Sequence, residues 1–553
     1  MKKLISTLLI ITMLVTLLAS CKPKNQPNTS TSSNEIGSTS KAYEPPPVTE
    51  FPRFEEKDWT PVTLLHMQKV ENTLTSEGSI LKELAALTGI RLNLEFVNME
   101  DIQGSFISRI AAGTIPELSS VDTLANQYGP DGVFLELTDY INNTKYMKKF
   151  VDAFAMEYFK SSVDRKIYMF FQHREQHKEP QMAKYYRADI LDELGAPVPK
   201  TNAEWTSLYA KVKASYPDLA PYSDPGVNYL FHSNTCSPFD LATISYDDYV
   251  GYIGSKLSEK KIVYLPATNE FRKMLEYYND MYKKEYLDNA FFLEMGGEPW
   301  YINVASQASI FSANMGVLTR MSWCETQCHE NGFANVDYTM TMPPVDEAYG
   351  KSVIFDHGDV WQASRGIALS AAKLKDDPAK TQKIVNMIDF LYTDYASDLF
   401  RFGVRDVDFT VEANGTMNHK AGNNIEAITK YMNETGNSDI YLVRSHKENA
   451  YVEKYGIKLA NKDHEDFYFN TAKNIDFVSV PLPIKLGKAE EEAYTSKVNA
   501  LRSYMRNMAK GFIDGSEPFT AWAQYVEQLK KLGSDDVCAI MQKWIANGEA
   551  AKS

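Results

Sequence analysis

The residues best suited to chemistry in this chain are flat aromatics, short histidine and carboxylate clusters, and isolated thiols. Among seven tryptophans, Trp300 and Tyr301 follow Gly296-Gly297-Glu298-Pro299, a turn-rich run that predicts a loop able to rim a cleft. Trp361 stands in Asp359-Val-Trp-Gln362, and Trp323 follows the apolar, small-residue segment Ser309 to Met321. An indole offers a flat apolar wall to a ligand with a face of C–H groups, and planar polar neighbours would meet its hydroxyls. Each ring has an alternative role in core packing, because aromatics dominate core burial. With 33 tyrosines and 12% aromatic residues, abundance decides nothing and position must do the sorting.

The catalytic and metal-binding patterns are incomplete. Gly350-Lys351-Ser352 ends like a phosphate-binding loop, but that motif needs glycine at 345, where Val345 stands. His173-Arg-Glu-Gln-His177 spaces two histidines for one helical face, yet the zinc-protease pattern wants glutamate in place of Arg174, so a solvated polar loop is the better reading. Asp356-His-Gly-Asp359 lacks calcium-loop spacing. Cys324 and Cys328, with His329 adjacent, lack a second ligand pair at finger-like spacing. The expectation is therefore no metal and no cofactor.

Cys21 is a different kind of thiol. Lys2 and Lys3 open the chain, Leu4 to Leu17 form an apolar run, and Leu18-Ala19-Ser20 precede the cysteine. This is the layout of a secretory signal and is too short to span a bilayer. Leu-Ala-Ser-Cys resembles the lipobox of bacterial lipoproteins, which implies that residues 1–20 are removed and Cys21 is acylated; an ordinary secretory signal is the alternative. Each buried CH₂ contributes about 0.8 kcal/mol, so several acyl chains anchor stably where one does not. The implied location is the extracytoplasmic face of the cell membrane.

Hydrophobic residues at 44% and charged residues at 24% match an ordinary globular protein. Against 72 acidic residues stand 58 Lys and Arg, a net charge of −14 that repels nucleic acid and anionic lipid. Five cysteines are too few for a disulfide scaffold. A chain of 553 residues exceeds the size at which one core stops growing, about 250–300, so two large domains are expected. Residues 21–54, rich in Ser, Thr, Asn and Pro, read as a mobile tether.

The elements that must position these groups follow from periodicity. Ile80, Leu81, Leu84 and Leu87 recur at helical spacing, Gly89 supplies a stop, and Ile90, Leu92, Leu94 and Phe96 then alternate as a strand. Ser105 to Ala112 reads as a short helix, Lys166 to Gln172 as a β-prone run, and His173 to Pro180 as a polar insertion. Thr201 and Glu204 form a capping box ahead of Trp205, Leu208, Tyr209 and Val212 on one helical face. Ala379 to Phe402 predicts one long helix, and Thr520 to Leu532 another. Helices and strands interleave as in α/β domains.

Several blocks, in order, resemble extracellular solute-binding proteins of family 1, the sugar-type group, and among them the LipO-like lipoproteins of bacterial ABC importers. They are Leu87-Thr-Gly-Ile90, Gly113-Thr-Ile-Pro-Glu117 ahead of Leu137-Thr-Asp-Tyr-Ile141, and Tyr186-Arg-Ala-Asp-Ile-Leu-Asp-Glu-Leu-Gly195 with Pro199-Lys-Thr201. Gly366-Ile-Ala-Leu-Ser370, Asp389-Phe-Leu-Tyr392, Phe402-Gly403 and Trp522-Ala-Gln-Tyr525 complete the series. The chain departs from the family where Pro116-Glu117 replaces a frequent Pro-Asp, leaving either Glu117 or Asp122 to face the cleft.

The resemblance implies a type II periplasmic-binding-protein fold, two α/β lobes joined by hinge crossovers. Residues 55–168 and 365–408 would form the first lobe, and 169–364 and 409–553 the second. It further implies that a carbohydrate, an oligosaccharide, binds between the lobes against Trp361, Trp323, Trp300, Tyr301 and the family-block residues Tyr186 and Arg187. Arg187 has a structural alternative in pairing with Asp189. The implied partners are an ABC permease and a separate ATPase, met by a monomer. Two alternatives stay open: a peptide or signal receptor on the same fold, and a surface glycoside hydrolase, which needs two carboxylates about 5–9.5 Å apart.

Overall fold

The computed structural model describes residues 51–68, 74–98, 102–121, 124–153, 156–175, 183–231, 233–243, 252–259, 261–295, 297–314, 318–345, 353–356, 360–437, 444–446, 451, 454–458, 476–479, 484–485 and 487–552. The signal sequence, Cys21, most of the tether, Asp122, His177 and Lys351-Ser352 lie outside them.

The first sheet grows from a β-α-β unit. Strands β1 (Thr60–Gln68) and β2 (Ile90–Asn98) pair in parallel, Thr60 opposite Ile90 and Gln68 opposite Asn98. Helix Ser79–Thr88 crosses between them, burying Ile80, Leu81, Leu84 and Leu87, and stops at Gly89, whose φ of 71° is left-handed backbone that glycine adopts without a Cβ clash. β3 (Leu118–Val121) adds in parallel, β13 (Val360–Leu369) returns antiparallel, and β4 (Phe170–Glu175) and β16 (Arg444–His446) follow, giving the order β16-β4-β13-β3-β1-β2. Gly366 is required on β13: a Cβ there would lie 2.1 Å from the Phe170 carbonyl oxygen.

The second principal sheet has the order β11-β5-β10-β6. It joins β5 (Lys184–Arg187), β6 (Ala220–Tyr222), β10 (Ile310–Ala313) and β11 (Tyr338–Thr341). Its two faces feed separate cores. Tyr186 and Phe311 pack with helix Asn202–Ser215 and the C-terminal helices, whereas Tyr185 and Ile310 pack with Trp300 and Cys324. Smaller sheets are formed by β7 (Leu241–Thr243), β8 (Ile253–Lys256) and β9 (Ile262–Tyr264), by β14 (Phe409–Val411) with β15 (Met417–His419), and by β12 (Val353–Asp356) in parallel with β17 (Asp476–Ser479). No helix among the described residues is long and apolar enough to cross a membrane.

The capping box is present: Thr201 accepts from the Glu204 N–H at 3.2 Å and the Glu204 carboxylate accepts from the Thr201 N–H at 3.1 Å. Other expectations shift. The helix expected over 379–402 is two, Pro378–Phe390 and Asp394–Phe402, because Thr393 caps the second through the Ala396 N–H at 3.1 Å. Between them the Tyr392 hydroxyl donates to the Phe171 carbonyl at 2.5 Å. The strand expected to end at Gln172 continues through His173 to Glu175, paired on both sides. His173 therefore sits on a strand and not on a helical face or in a polar loop. Residues 409–457, placed by sequence with the second lobe, contribute Phe409, Met417, Ile425, Ile428 and Tyr455 to the first core, as Phe170 and Phe171 do. The Phe409 and Tyr455 rings meet Phe402, which sequence had already placed in that lobe, edge-on at 5.9 and 5.8 Å.

Candidate functional site

Open α/β sheets bind ligands outside the carboxyl ends of their parallel strands, where helix ends and loop groups converge. In the first sheet β1, β2 and β3 point the same way, and near their carboxyl ends three side chains form one cross-strand row. Phe96 on β2 is paired with His66 on β1, and the register of Leu65 opposite Ser119 sets His66 beside Ser120. His66 Nδ1 lies 3.1 Å from Ser120 Oγ, and the imidazole and Phe96 rings meet edge-on with centroids 6.4 Å apart. The imidazole is only 8% exposed, and burial lowers its pKa to about 4, which keeps it neutral at physiological pH. Phe96 is 43% exposed. Across β13, Gln172 and His173 lie mid-strand on β4 in buried positions, and the backbone of Trp361, second residue of β13, pairs with His173. The Trp361 side chain is outside the described residues.

The corresponding edge of the second sheet is sealed. Lys184 opens β5 fully buried, with its ammonium 4.4 Å from the Trp205 ring centroid and 4.9 Å from that of Tyr222. It donates to Asn314 Oδ1 at 3.0 Å, just beyond β10. The Asn314 N–H donates to Asp224 Oδ1 at 3.1 Å, its side-chain amide donates to Thr235 Oγ1 at 3.2 Å, and Asp224 accepts from the Tyr222 hydroxyl. Burial pushes the Lys184 pKa down, and the Asp224 charge pulls it back up. The two edges are linked through the chain: β12 packs against the helix Ser233–Cys236 that carries Thr235, and β13 starts shortly after β12 ends.

The remaining sequence candidates are not gathered on one surface. Gly297–Gln307 is a helix and not a loop, since a proline in the first turn costs no intrahelical hydrogen bond. Trp300 is consequently 0% exposed, donating from Nε1 to Ser223 Oγ at 2.9 Å, and Tyr301 is buried beside it. Both rings fill the core and leave no rim. Trp323, on helix Leu318–Glu330, packs half-buried against that same core. Tyr186 lies on the opposite face of the sheet, its ring 5.9 Å from that of Trp205. Arg187 holds Asp189 through two hydrogen bonds, the Nε bond at 2.7 Å, which is its structural alternative. Glu117 stands at the amino end of β3, accepting from the Thr63 N–H at 3.2 Å and from Lys380 at 2.9 Å. Burial alone would raise its pKa, but these donors hold it below the usual range.

Cys324 and Cys328 donate to the carbonyls of Tyr301 and Val304 at 3.5 and 3.9 Å, and among the described residues no group of three potential ligands could hold a metal ion. A surface hollow of 460 Å³ between Tyr504 and Lys531 belongs to neither sheet edge. Sequence reasoning missed His66 and Ser120, which only the strand register reveals. Phe96 was visible as the last apolar residue of an alternating run.

No protein-family model and no curated protein matches the sequence. Solved structures do. The alginate-binding protein AlgQ2, solved without calcium ion, superposes with a TM-score of 0.65 at 18% identity over 89% of this chain and 100% of its own. The ABC-transporter substrate-binding protein FusA of S. pneumoniae, in complex with kestose, gives 0.64 at 16% identity over 89% and 100%. An HMO-binding, ABC-transporter-associated solute-binding protein from Bifidobacterium longum infantis gives 0.63 at 14% identity over 88% and 98%. The chain has their fold, α/β lobes of the periplasmic-binding type joined by crossovers.

Proposed function

We propose that this chain, built on the fold of the extracellular solute-binding proteins, captures a carbohydrate between its two principal sheets and delivers it unchanged to an ABC permease served by a separate ATPase. The observation that carries the reading is the whole-length fold shared with FusA, solved with kestose, and with AlgQ2. The position of the Trp361 backbone at the first sheet's carboxyl edge supports an aromatic wall there. Trp323 and Asp122 complete the proposed contacts.

Capture works as a population shift. The lobes, proposed at the sequence-derived boundaries adjusted so that 170–175 and 409–457 join the first, close when one solute touches both, and the closed form is what a permease reads. Micromolar affinity, about −8 kcal/mol, suits retrieval followed by release. Cleavage before Cys21 and acylation of its thiol would hold the monomer at the membrane through the tether, which ends earlier than the expected residue 54: Phe51 meets Phe390 edge-on at 4.9 Å, Arg53 pairs with Glu83 and the Phe54 N–H donates to the Ala86 carbonyl at 2.7 Å.

Calorimetric titration with maltotriose, kestose and an alginate trisaccharide tests the reading. Stoichiometric binding without turnover supports it, and Trp361→Ala is expected to weaken binding by about 1–3 kcal/mol with an unchanged melting midpoint. Hydrolysis of any of the three sugars would instead establish a glycosidase.

A further inference from the structure

The geometry points to a ligand subsite on the first sheet: we propose that Phe96 stacks against the C–H face of one uncharged sugar ring while His66 Nε2 hydrogen-bonds one of its hydroxyls, with Ser120 orienting the imidazole. The proposal rests on the carbohydrate reading and names the contacts made by the first sheet.

Three observations converge. Phe96, His66 and Ser120 occupy one row across three adjacent parallel strands, at the edge where this fold class receives ligands. Among the described residues, Phe96 is the one exposed large hydrophobic on a strand of either principal sheet; Phe54 and Phe333 lie outside strands, and Ile107 and Ile302 lie on helices. An exposed ring in that position presents a flat apolar surface beside a buried polar group, which is the pairing a sugar requires.

The third observation concerns the imidazole. His66 is more than nine-tenths buried, its Nδ1 is held by Ser120 Oγ, and Nε2 has no hydrogen-bond partner among the described residues. Nε2 is not among the atoms closed off from solvent, so a ligand can reach it and supply the bond the protein does not. A hydroxyl supplies it in either tautomer, because it both donates and accepts. A carboxylate would meet only one tautomer and a cation only the other. The row itself carries no formal charge while His66 is neutral, so an uncharged ring is the matching ligand.

The test uses the full-length mature protein titrated with maltotriose and kestose, each at neutral pH, with melting recorded on the empty protein. Phe96→Ala is expected to weaken binding at least tenfold without moving the melting midpoint, and Phe96→Trp to restore it. In ¹⁵N-histidine spectra of the wild type, the Nε2 resonance of His66 is expected to shift on adding the bound sugar, and Ser120→Ala to diminish that shift.

If the wild type binds a sugar and Phe96→Ala binds it equally well, the subsite is overturned while the proposed function stands. A parallel loss of binding and melting midpoint in Phe96→Ala would make Phe96 a packing residue and overturn the subsite as well. Absence of binding to both sugars by the wild type would remove the subsite together with the reading on which it rests.

Discussion

The carboxyl edges of the two principal sheets solve opposite problems. The second edge buries a lysine and satisfies it internally: Lys184, Asn314, Asp224, Thr235 and Tyr222 bond to one another under the Trp205 and Tyr209 rings. At the first edge Phe96 is 43% exposed and, among the described residues, the His66 imidazole is bonded through one nitrogen. A network closed on itself has little to gain from a ligand, whereas an incomplete one does. The comparison separates a structural post from a candidate contact surface, although both carry the polar and aromatic residues a sequence reader would choose.

The contrast breaks first at Asp224. Asp224→Ala removes the carboxylate opposite Lys184 and the acceptor of the Asn314 N–H, leaving the Tyr222 hydroxyl with Tyr278 alone, so urea denaturation is expected to show a loss of about 3–5 kcal/mol. A loss below 1 kcal/mol would mean the second edge is not the sealed support described. Trp300→Ala, a core truncation beside that edge, is expected to cost about 3–5 kcal/mol, with any binding defect explained by the folded fraction. Unchanged stability with lost binding would return Trp300 to the ligand surface.

The first edge has a pH signature. The folded pKa of His66, about 4, lies below its ordinary 6.5, so between these values the unfolded chain holds more protons. Its contribution is thus fully present above pH 6.5 and is lost as pH falls, by about 1.4 kcal/mol per unit and roughly 3 kcal/mol in all. His66→Gln should flatten that limb of the stability curve, and an unaltered slope would show that His66 is not desolvated. The smallest effect is at Thr201: Thr201→Ala is expected to cost about 1 kcal/mol through loss of the capping box, read from the denaturation midpoint.

Local rules carried the sequence reading where one element decided the outcome. The helix Ser79–Thr88 with its glycine stop, the strand after it, and the capped helix Asn202–Ser215 follow from spacing and side-chain chemistry. The reading failed where neighbours intervened. His173 is polar and borders a polar run, yet pairing with β13 and β16 holds it in a strand. Gly296-Gly297-Glu298-Pro299 looks like a loop, yet the core takes up Trp300 and Tyr301, and the segment from Gly297 is helical. Glu117 was chemically suitable, but Lys380 already engages it, whereas Arg187 takes the pairing with Asp189 that the sequence offered as its structural role.

From the amino-acid order alone came the alternating α/β character, the family resemblance, the caps and stops, and the aromatic and acidic balance, because these depend on neighbours a few residues away. The placing of Phe96, His66 and Ser120 in one row, and the enclosure of Lys184 by rings from helix Asn202–Ser215 and β6, required the folded sheets. Strand register joins residues tens of positions apart, and burial depends on what packs above them. Neither quantity is encoded in the spacing of one segment, so only the tertiary structure could tell an open edge from a sealed one.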